Sequence, residues 1–221
     1  MSTIDNPVLN DNRDYNYSEY ENFQRDDYKF IVELIESNSR VIDLGCGNGA
    51  LIQILKEDKN CIVKGVEISG SGVEICKKKG LEVFHGRIDE VLPFKENEFD
   101  YSICHITIQM VMYPEILLSE MKRISKYQII SFPNFAFYKN RFELLLKGRM
   151  PKKMLFGYRW YNTGHIHQLS LKDFEELVES LGGLKIISNT FVKTNSSFKN
   201  FLMKLFPNLF QQIAVIKLTK I

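Results

Sequence analysis

The residues best placed to do chemistry are two carboxylates and three glycines. Asp43 closes a short apolar run, Val41-Ile42, and Gly45, Gly47 and Gly49 follow at alternate positions before Leu51, Ile52, Ile54 and Leu55 resume at helical spacing. The pattern reads as a strand, a tight loop and a helix start, because glycine supplies the positive φ angles of the turn and bare backbone for a ligand to approach. Cys46 sits inside that loop. Glu67 ends the next apolar run, CIVKGVEI, and is followed by Ile68. It falls about twenty residues after the loop, the separation at which one carboxylate closes on the ribose of a bound nucleoside. A dinucleotide would set its pyrophosphate against the helix start, where an acid just before the glycines repels it. S-adenosyl-L-methionine has no phosphate and carries an ammonium, which Asp43 suits directly or through water. The loop and the two acids therefore favour that ligand over a nicotinamide dinucleotide.

Candidates for work on an acceptor lie further along. His105 ends a fourth apolar run, FDYSICH, on the ligand side of such a sheet; it is either a general base or a position used for backbone contact to the cofactor. Asn134, after Pro133, either orients an acceptor or caps the following helix. His165 and His167 alternate as strand residues do and could reach the mouth of the site. Without nearby carboxylates or thiols they do not make a metal site. The basic run Lys147, Arg149, Lys152 and Lys153, with Arg141, Arg159, Tyr158, Trp160 and Tyr161 nearby, could hold a carboxylate or phosphate, or could be a solvated face. Tyr15, Tyr17 and Tyr20 could cover an apolar cleft or pack on the outside of the domain.

The elements that must position these residues follow from periodicity. Apolar spacing predicts a helix over 23–36, strands over 40–44, 61–68, 81–85, 99–105 and 127–132, and helices over 51–57, 70–79 and 114–124. Five strands alternating with helices indicate parallel βαβ units, doubly wound. Past Pro133 the rhythm changes: a helix over 135–146, the basic loop, a helix from an N-cap at Ser170 to Leu181, and late strands over 184–191 and 212–218. Phe198 to Phe210, between those strands, is apolar enough to cover the sheet or a partner. Residues 1–22 read as an N-terminal arm or lid, and 23–221 as one domain with a cap-like insertion around 135–170.

The chain has 221 residues, a net charge of +2 and four widely spaced cysteines. That charge gives no global field for nucleic acid. Cys46, Cys61, Cys76 and Cys104 form no zinc pattern and suit a reduced, cytoplasmic protein. The first residues lack the basic start and apolar core of a signal peptide, and no run is long enough to span a bilayer.

The motif DLGCGNG with Glu67 resembles the class I S-adenosyl-L-methionine-dependent methyltransferases. That resemblance implies a mostly parallel, doubly wound α/β sheet of seven strands with the last antiparallel, the Rossmann-like fold of that class. It implies that Asp43, Gly45, Cys46, Gly47 and Gly49 line the methionine and ribose end. Glu67 would hold the ribose hydroxyls, Ile68 would lie against the adenine, and Ile88 and His105 would complete the cofactor set. S-adenosyl-L-homocysteine would be the product. In narrower detail, GRIDEVLPFKENEFDY, SFPNF, LLLKGRMP, WYNTGHIH and LFPNL, in this order, are similar to the MetW group of methionine-biosynthesis proteins. Those proteins are associated with homoserine O-acyltransferases. The resemblance thus implies either methyl transfer or a non-catalytic role on an acyltransferase, with a homodimer as a further arrangement; the basic, aromatic run adds a small, anionic acceptor to the first. On the acceptor side the expected residues are Tyr17, Tyr20, Arg149, Trp160, His165 and His167, with His105 and Asn134 as catalytic candidates. Two departures stand out. The N-terminal arm is longer than is usual for the group, and Arg87 stands where many class I enzymes carry an adenine-side acid, a role left to Asp89 or a nearby amide.

Overall fold

The structure is a computed structural model that describes residues 17, 21–152, 160, 163–191 and 195–221. In chain order the elements are α1 (Tyr28–Val32), β1 (Arg40–Leu44), α2 (Ala50–Lys59), β2 (Ile62–Glu67), α3 (Gly70–Lys78), β3 (Glu82–His85), β4 (Phe99–His105), a 3-10 turn (Ile108–Met110) and α4 (Pro114–Ile124). Then come β5 (Ser125–Pro133), α5 (Tyr138–Lys147), α6 (Leu171–Leu181), β6 (Leu184–Phe191), α7 (Ser197–Leu205), α8 (Pro207–Phe210) and β7 (Ile213–Lys220). They build a seven-stranded sheet in the order β3-β2-β1-β4-β5-β7-β6. The pairs from β3 through β5 are parallel, and β7 runs antiparallel to both β5 and β6.

β1 lies at the centre, and its sequence explains why. Val41, Ile42 and Leu44 are all fully buried, so the strand carries apolar side chains on both faces, as a strand covered on two sides must. On one face Ile42 and Leu44 join Leu117, Met121, Phe174 and Val178 from α4 and α6. On the other, Val41 packs with Ile31, Leu51, Ile52 and Leu55 from α1 and α2. Each such side chain contributes roughly 1.5–3 kcal/mol by leaving water. α6 starts where expected, because Ser170 accepts from the Asp173 N–H while Asp173 accepts from the Ser170 N–H. From β1 the chain steps outward to β2 and β3, then returns to lay β4 on the other side of β1. That reversal opens a crevice at the carboxyl ends of β1 and β4, where open α/β sheets take their ligands.

One expected helix differs, and the apolar stretch before the last strand takes a form the periodicity did not specify. The one foreseen over 23–36 shrinks to Tyr28–Val32, because the Phe23 carbonyl accepts from the Asn48 side chain (2.8 Å) and Arg25 forks onto Asp27, which holds the preceding residues out of a helix. The apolar stretch over 198–210 divides into α7 and α8 at Phe206, whose φ of −130° is not helical and which precedes Pro207.

Candidate functional site

The crevice contains a cleft of about 540 Å³, open to solvent, lined by Tyr17, Gly45, Glu67, Ile68, Gly86, Arg87, Ile88, Asp89, Thr107, Met110 and Val111. Of the glycine loop, Gly45 lines it, whereas Asp43, Cys46, Gly47 and Gly49 are not part of that lining. Gly45, Gly47 and Gly49 have φ of +89°, +58° and +75°, the left-handed region that side chains resist. Space matters as well: a Cβ on Gly45 would lie 2.8 Å from the Thr107 methyl, and one on Gly49 would lie 2.6 Å from Leu81 and 2.8 Å from the Cys76 sulfur. Cys46 packs beneath the loop, its sulfur 2.6 Å from where a Gly65 Cβ would be.

Glu67 is held in place by two backbone donors, Gly47 N–H to Oε2 (2.7 Å) and Ser69 N–H to Oε1 (2.8 Å). Its carboxylate therefore faces the cleft with a fixed orientation. Asp43 differs. It is 3 % exposed, and its Oδ1 is buried without a hydrogen-bond partner. Burial, and then the charge of Glu67, push its pKa up to about 7. An acid left in this condition calls for a cation or a donor.

The far end of the cleft is braced by Asp89, which the sequence only suggested as a substitute ligand. Arg87 donates from Nε to Asp89 Oδ1 (3.0 Å) and from Nη2 to Oδ2 (2.8 Å). Oδ2 also accepts the N–H groups of Met112 (2.9 Å) and Tyr113 (3.2 Å). Asp89 thus ties the loop after β3 to the turn after β4, and Arg87 lies on the wall with it.

The turn after β4 is strained. Ile106, a β-branched residue, has φ of +52°, a conformation that costs about 1–3 kcal/mol and persists only where its surroundings impose it. Its N–H donates to Ser131 O (2.9 Å) and Oγ (3.1 Å), and its carbonyl accepts from Gln109 Nε2 (2.8 Å). The result carries Thr107 over Gly45. Neither Ile106 nor Gln109 carries a sequence signal for this role.

His105 ends β4 as expected, but its ring is not part of the cleft lining. Nδ1 pairs with Ser131 Oγ at 2.6 Å, and Nε2 lies 3.3 Å from Asp27 Oδ1, within ion-pair distance although off hydrogen-bond alignment. The Tyr28 ring meets it edge-on at 5.4 Å. Burial lowers the His105 pKa, against the opposing pull of Asp27. Burial works against the low pKa of Asp27, but the close approach of His105 and the hydrogen bonds from Arg25 outweigh it. The ring thus binds the segment around Asp27 to the sheet, and its carbonyl accepts from Thr107 Oγ1 (2.9 Å). Arg25, Asp27, Ser131 and Thr107 were not foreseen; only the sheet's register brings them to one place.

Asn134, the other catalytic candidate, has its side chain engaged within the fold. It is fully buried, its Nδ2 donates to the carbonyls of Asn208 (3.0 Å) and Gln211 (2.9 Å), and its Oδ1 accepts from Ala136 N–H (3.1 Å). It fastens β5 to α8. Of the acceptor-side expectations, Tyr17 lies on the cleft, while Tyr20 lies outside the described residues, as do Tyr15, Lys153, Tyr158, Arg159 and Tyr161. His165 and His167 sit on a segment laced to the turn after β4: Ile166 and His167 N–H groups both donate to Gln109 O (3.0 and 3.1 Å). Arg149 is removed from the cleft and paired with Glu143 at 2.8 Å. Trp160 is largely exposed. Among the described residues no group of His, Cys, Asp and Glu is arranged to hold a metal ion, and no helix is long and apolar enough to cross a membrane.

Strand order, reversed β7 and the glycine loop define the class I methyltransferase fold, and solved structures agree. A Thermotoga maritima protein, described as a S-adenosylmethionine-dependent methyltransferase and possible histamine N-methyltransferase, superposes with a TM-score of 0.61 at 21 % identity over 93 % of each chain. A Haloferax volcanii complex of the Trm112 methyltransferase activator with a putative methyltransferase matches with a TM-score of 0.60 at 15 % identity, over 87 % of this chain and 88 % of that one. Residues 25–218 match the family model described as methionine biosynthesis protein MetW, and the chain belongs to that family. The bifunctional methionine biosynthesis protein MetXA/MetW of Rhodopirellula baltica is 33 % identical over 171 residues, 73 % of this chain and 27 % of that protein. The chain thus spans about a quarter of that relative's length.

The residues present fit S-adenosyl-L-methionine. A buried carboxylate oxygen without a partner, on Asp43, ends β1 beside the glycine turn, and a second, oriented carboxylate, Glu67, lines the cleft with Gly45.

Proposed function

We propose that the chain binds S-adenosyl-L-methionine in this cleft and methylates a small, anionic acceptor, leaving S-adenosyl-L-homocysteine. The observation that carries the reading is Asp43, buried beside Glu67 with an unpaired oxygen and a pKa raised to about 7. Asp43 would take the ammonium, directly or through water. Glu67 would take the ribose hydroxyls, and Ile68 and Ile88 would flank the adenine. The cofactor supplies a methyl group already activated on a sulfonium, so positioning accounts for much of the rate. The acids on the cleft wall are engaged, Glu67 by two N–H groups and Asp89 by Arg87 and two more. That favours an acceptor nucleophilic at neutral pH without help from a protein base. His105, held by Ser131 and Asp27, is better suited to positioning the turn than to taking a proton. The proximity of the His165–His167 segment to Gln109, next to Met110 of the lining, supports an acceptor entering from the cap side. Isothermal titration of the folded protein with S-adenosyl-L-methionine tests the reading, and absence of binding overturns it.

A second reading has its own support. α5 and α7 each bury a single residue, Asn140 and Met203, while Phe142, Leu145, Leu146, Phe198, Phe201 and Leu205 are more than half exposed. Apolar area of this kind marks a partner. It favours a non-catalytic, MetW-like role as the companion of a homoserine O-acyltransferase, in line with the relative that joins MetXA and MetW in one chain. Copurification from the native host separates the readings: a stable heteromer without methyl transfer supports the second, and a monomer or homodimer that methylates an acceptor opposes it.

A further inference from the structure

We infer that Tyr17 is a cofactor-contact residue whose ring tells the positively charged sulfonium of S-adenosyl-L-methionine from the neutral thioether of its product. This rests on the binding reading above and adds a discrimination that the glycines and acids do not supply. Tyr17 precedes the part of the chain that matches the family model, which begins at residue 25. Its N–H donates to Ser71 Oγ (3.0 Å) at the start of α3. Its ring lies directly on the loop. Cε1, Oη and Cζ sit 3.2–3.3 Å from where a Gly47 Cβ would be, and Cδ2 sits 3.1 Å from a Gly72 Cβ. The same ring lines the cleft with Glu67 and Ile68. Glu21 and Phe23, ahead of α1, are pinned on the domain: Lys79 Nζ donates to Glu21 O (2.7 Å), and Asn48 Nδ2 donates to Phe23 O (2.8 Å).

Only glycine at 47 and 72 leaves room for this ring, so the loop that admits the ligand also admits Tyr17. An aromatic face attracts a cation and is nearly indifferent to an uncharged sulfur of the same size. With the ammonium end assigned to Asp43, the sulfonium is the cationic group of the ligand that remains for a ring seated on Gly47, whose N–H holds Glu67. Weaker holding of the neutral product follows.

The test compares the wild type with Tyr17→Phe and Tyr17→Leu by isothermal titration against S-adenosyl-L-methionine and, separately, S-adenosyl-L-homocysteine. Tyr17→Phe keeps the π face and should stay within about twofold for both ligands. Tyr17→Leu keeps apolar bulk alone and should weaken S-adenosyl-L-methionine by about three- to thirtyfold, while leaving S-adenosyl-L-homocysteine within about twofold. Equal losses for both ligands, or no loss for either, overturn the inference and leave the binding reading standing. A wild type that binds neither ligand overturns both. A ligand-free measurement tests the seating of the ring: Tyr17→Ala should speed hydrogen exchange of the amides over 45–49 and 69–73, and an unchanged exchange pattern overturns the placement.

Discussion

The crevice at the ends of β1 and β4 and the corner built by α5, α7 and α8 fail to satisfy their residues in opposite ways. In the crevice polar groups are buried and closely partnered: Glu67 by two N–H groups, Asp89 by Arg87 and two more, His105 by Ser131. Asp43 is the carboxylate among them with one oxygen buried and unpaired, and Gln109 Oε1 and His105 Nε2 nearby also lack a hydrogen bond. At the corner it is the apolar groups that are left over, with Leu145 78 % and Leu146 76 % exposed. An unpaired buried carboxylate is relieved by a small cationic ligand, whereas an exposed row of leucines and phenylalanines is relieved by a large apolar surface. The two regions therefore ask for different kinds of company, and substitutions in one should leave the other's binding intact.

The largest effect is expected from the loop. Gly47→Val places a β-branched side chain at φ of +58° and pushes its Cβ against the Tyr17 ring. Affinity for S-adenosyl-L-methionine should fall at least about a hundredfold by titration, with the far-UV circular dichroism spectrum retained. Next is Asp43. Its folded pKa is raised above the unfolded value, so the folded state holds an extra proton between about pH 4 and 7, and stability declines as pH rises through that window. A bound ammonium reverses the preference and expels the proton. Affinity of the wild type should climb up to about tenfold per pH unit below pH 7, level off, and drop above about pH 8, where an α-amino group starts to lose its charge. Asp43→Asn should bind about tenfold more weakly at pH 7.5 and show a flat profile below pH 7.

Charging the corner is the reciprocal experiment. Leu145→Glu with Phe201→Glu should abolish a heteromer or self-association seen by light scattering, while cofactor affinity stays within about twofold, since these exposed side chains contribute little to the fold. A loss of cofactor binding instead would join the two regions that are here kept apart. The smallest effect is local. Ser170→Ala removes the cap of α6 and should cost about 1 kcal/mol, lowering the melting temperature by about 2–5 °C without altering ligand affinity.

Much of the crevice was legible in the sequence because it is built from local patterns. A strand, alternate glycines and an acid at a fixed distance lie within one βαβ unit, so spacing alone located Asp43, the loop and Glu67. The turn after β4 was not legible. Ile106 adopts φ of +52° because Ser131, from the neighbouring strand, and Gln109 hold it there, and such register-dependent contacts leave no trace in periodicity. The side-chain partners of Asn134 were hidden for the same reason: Asn208 and Gln211 are more than seventy residues away. His105 was correctly placed at the strand end, but a strand end fixes only where a residue begins, and the ring turned toward Asp27, which no motif marks. The exposure of α5 was also hidden, since FELLLK reads equally well as a helix that covers a core.

The most direct test of the central claim is the number of protons exchanged when the wild-type protein binds S-adenosyl-L-methionine. Titration at pH 6 in two buffers of different ionisation enthalpy measures it. If Asp43 is protonated in the free protein and receives the ammonium in the complex, close to one proton is released, and Asp43→Asn releases none. Binding without proton release by the wild type, or no binding at all, would contradict the account.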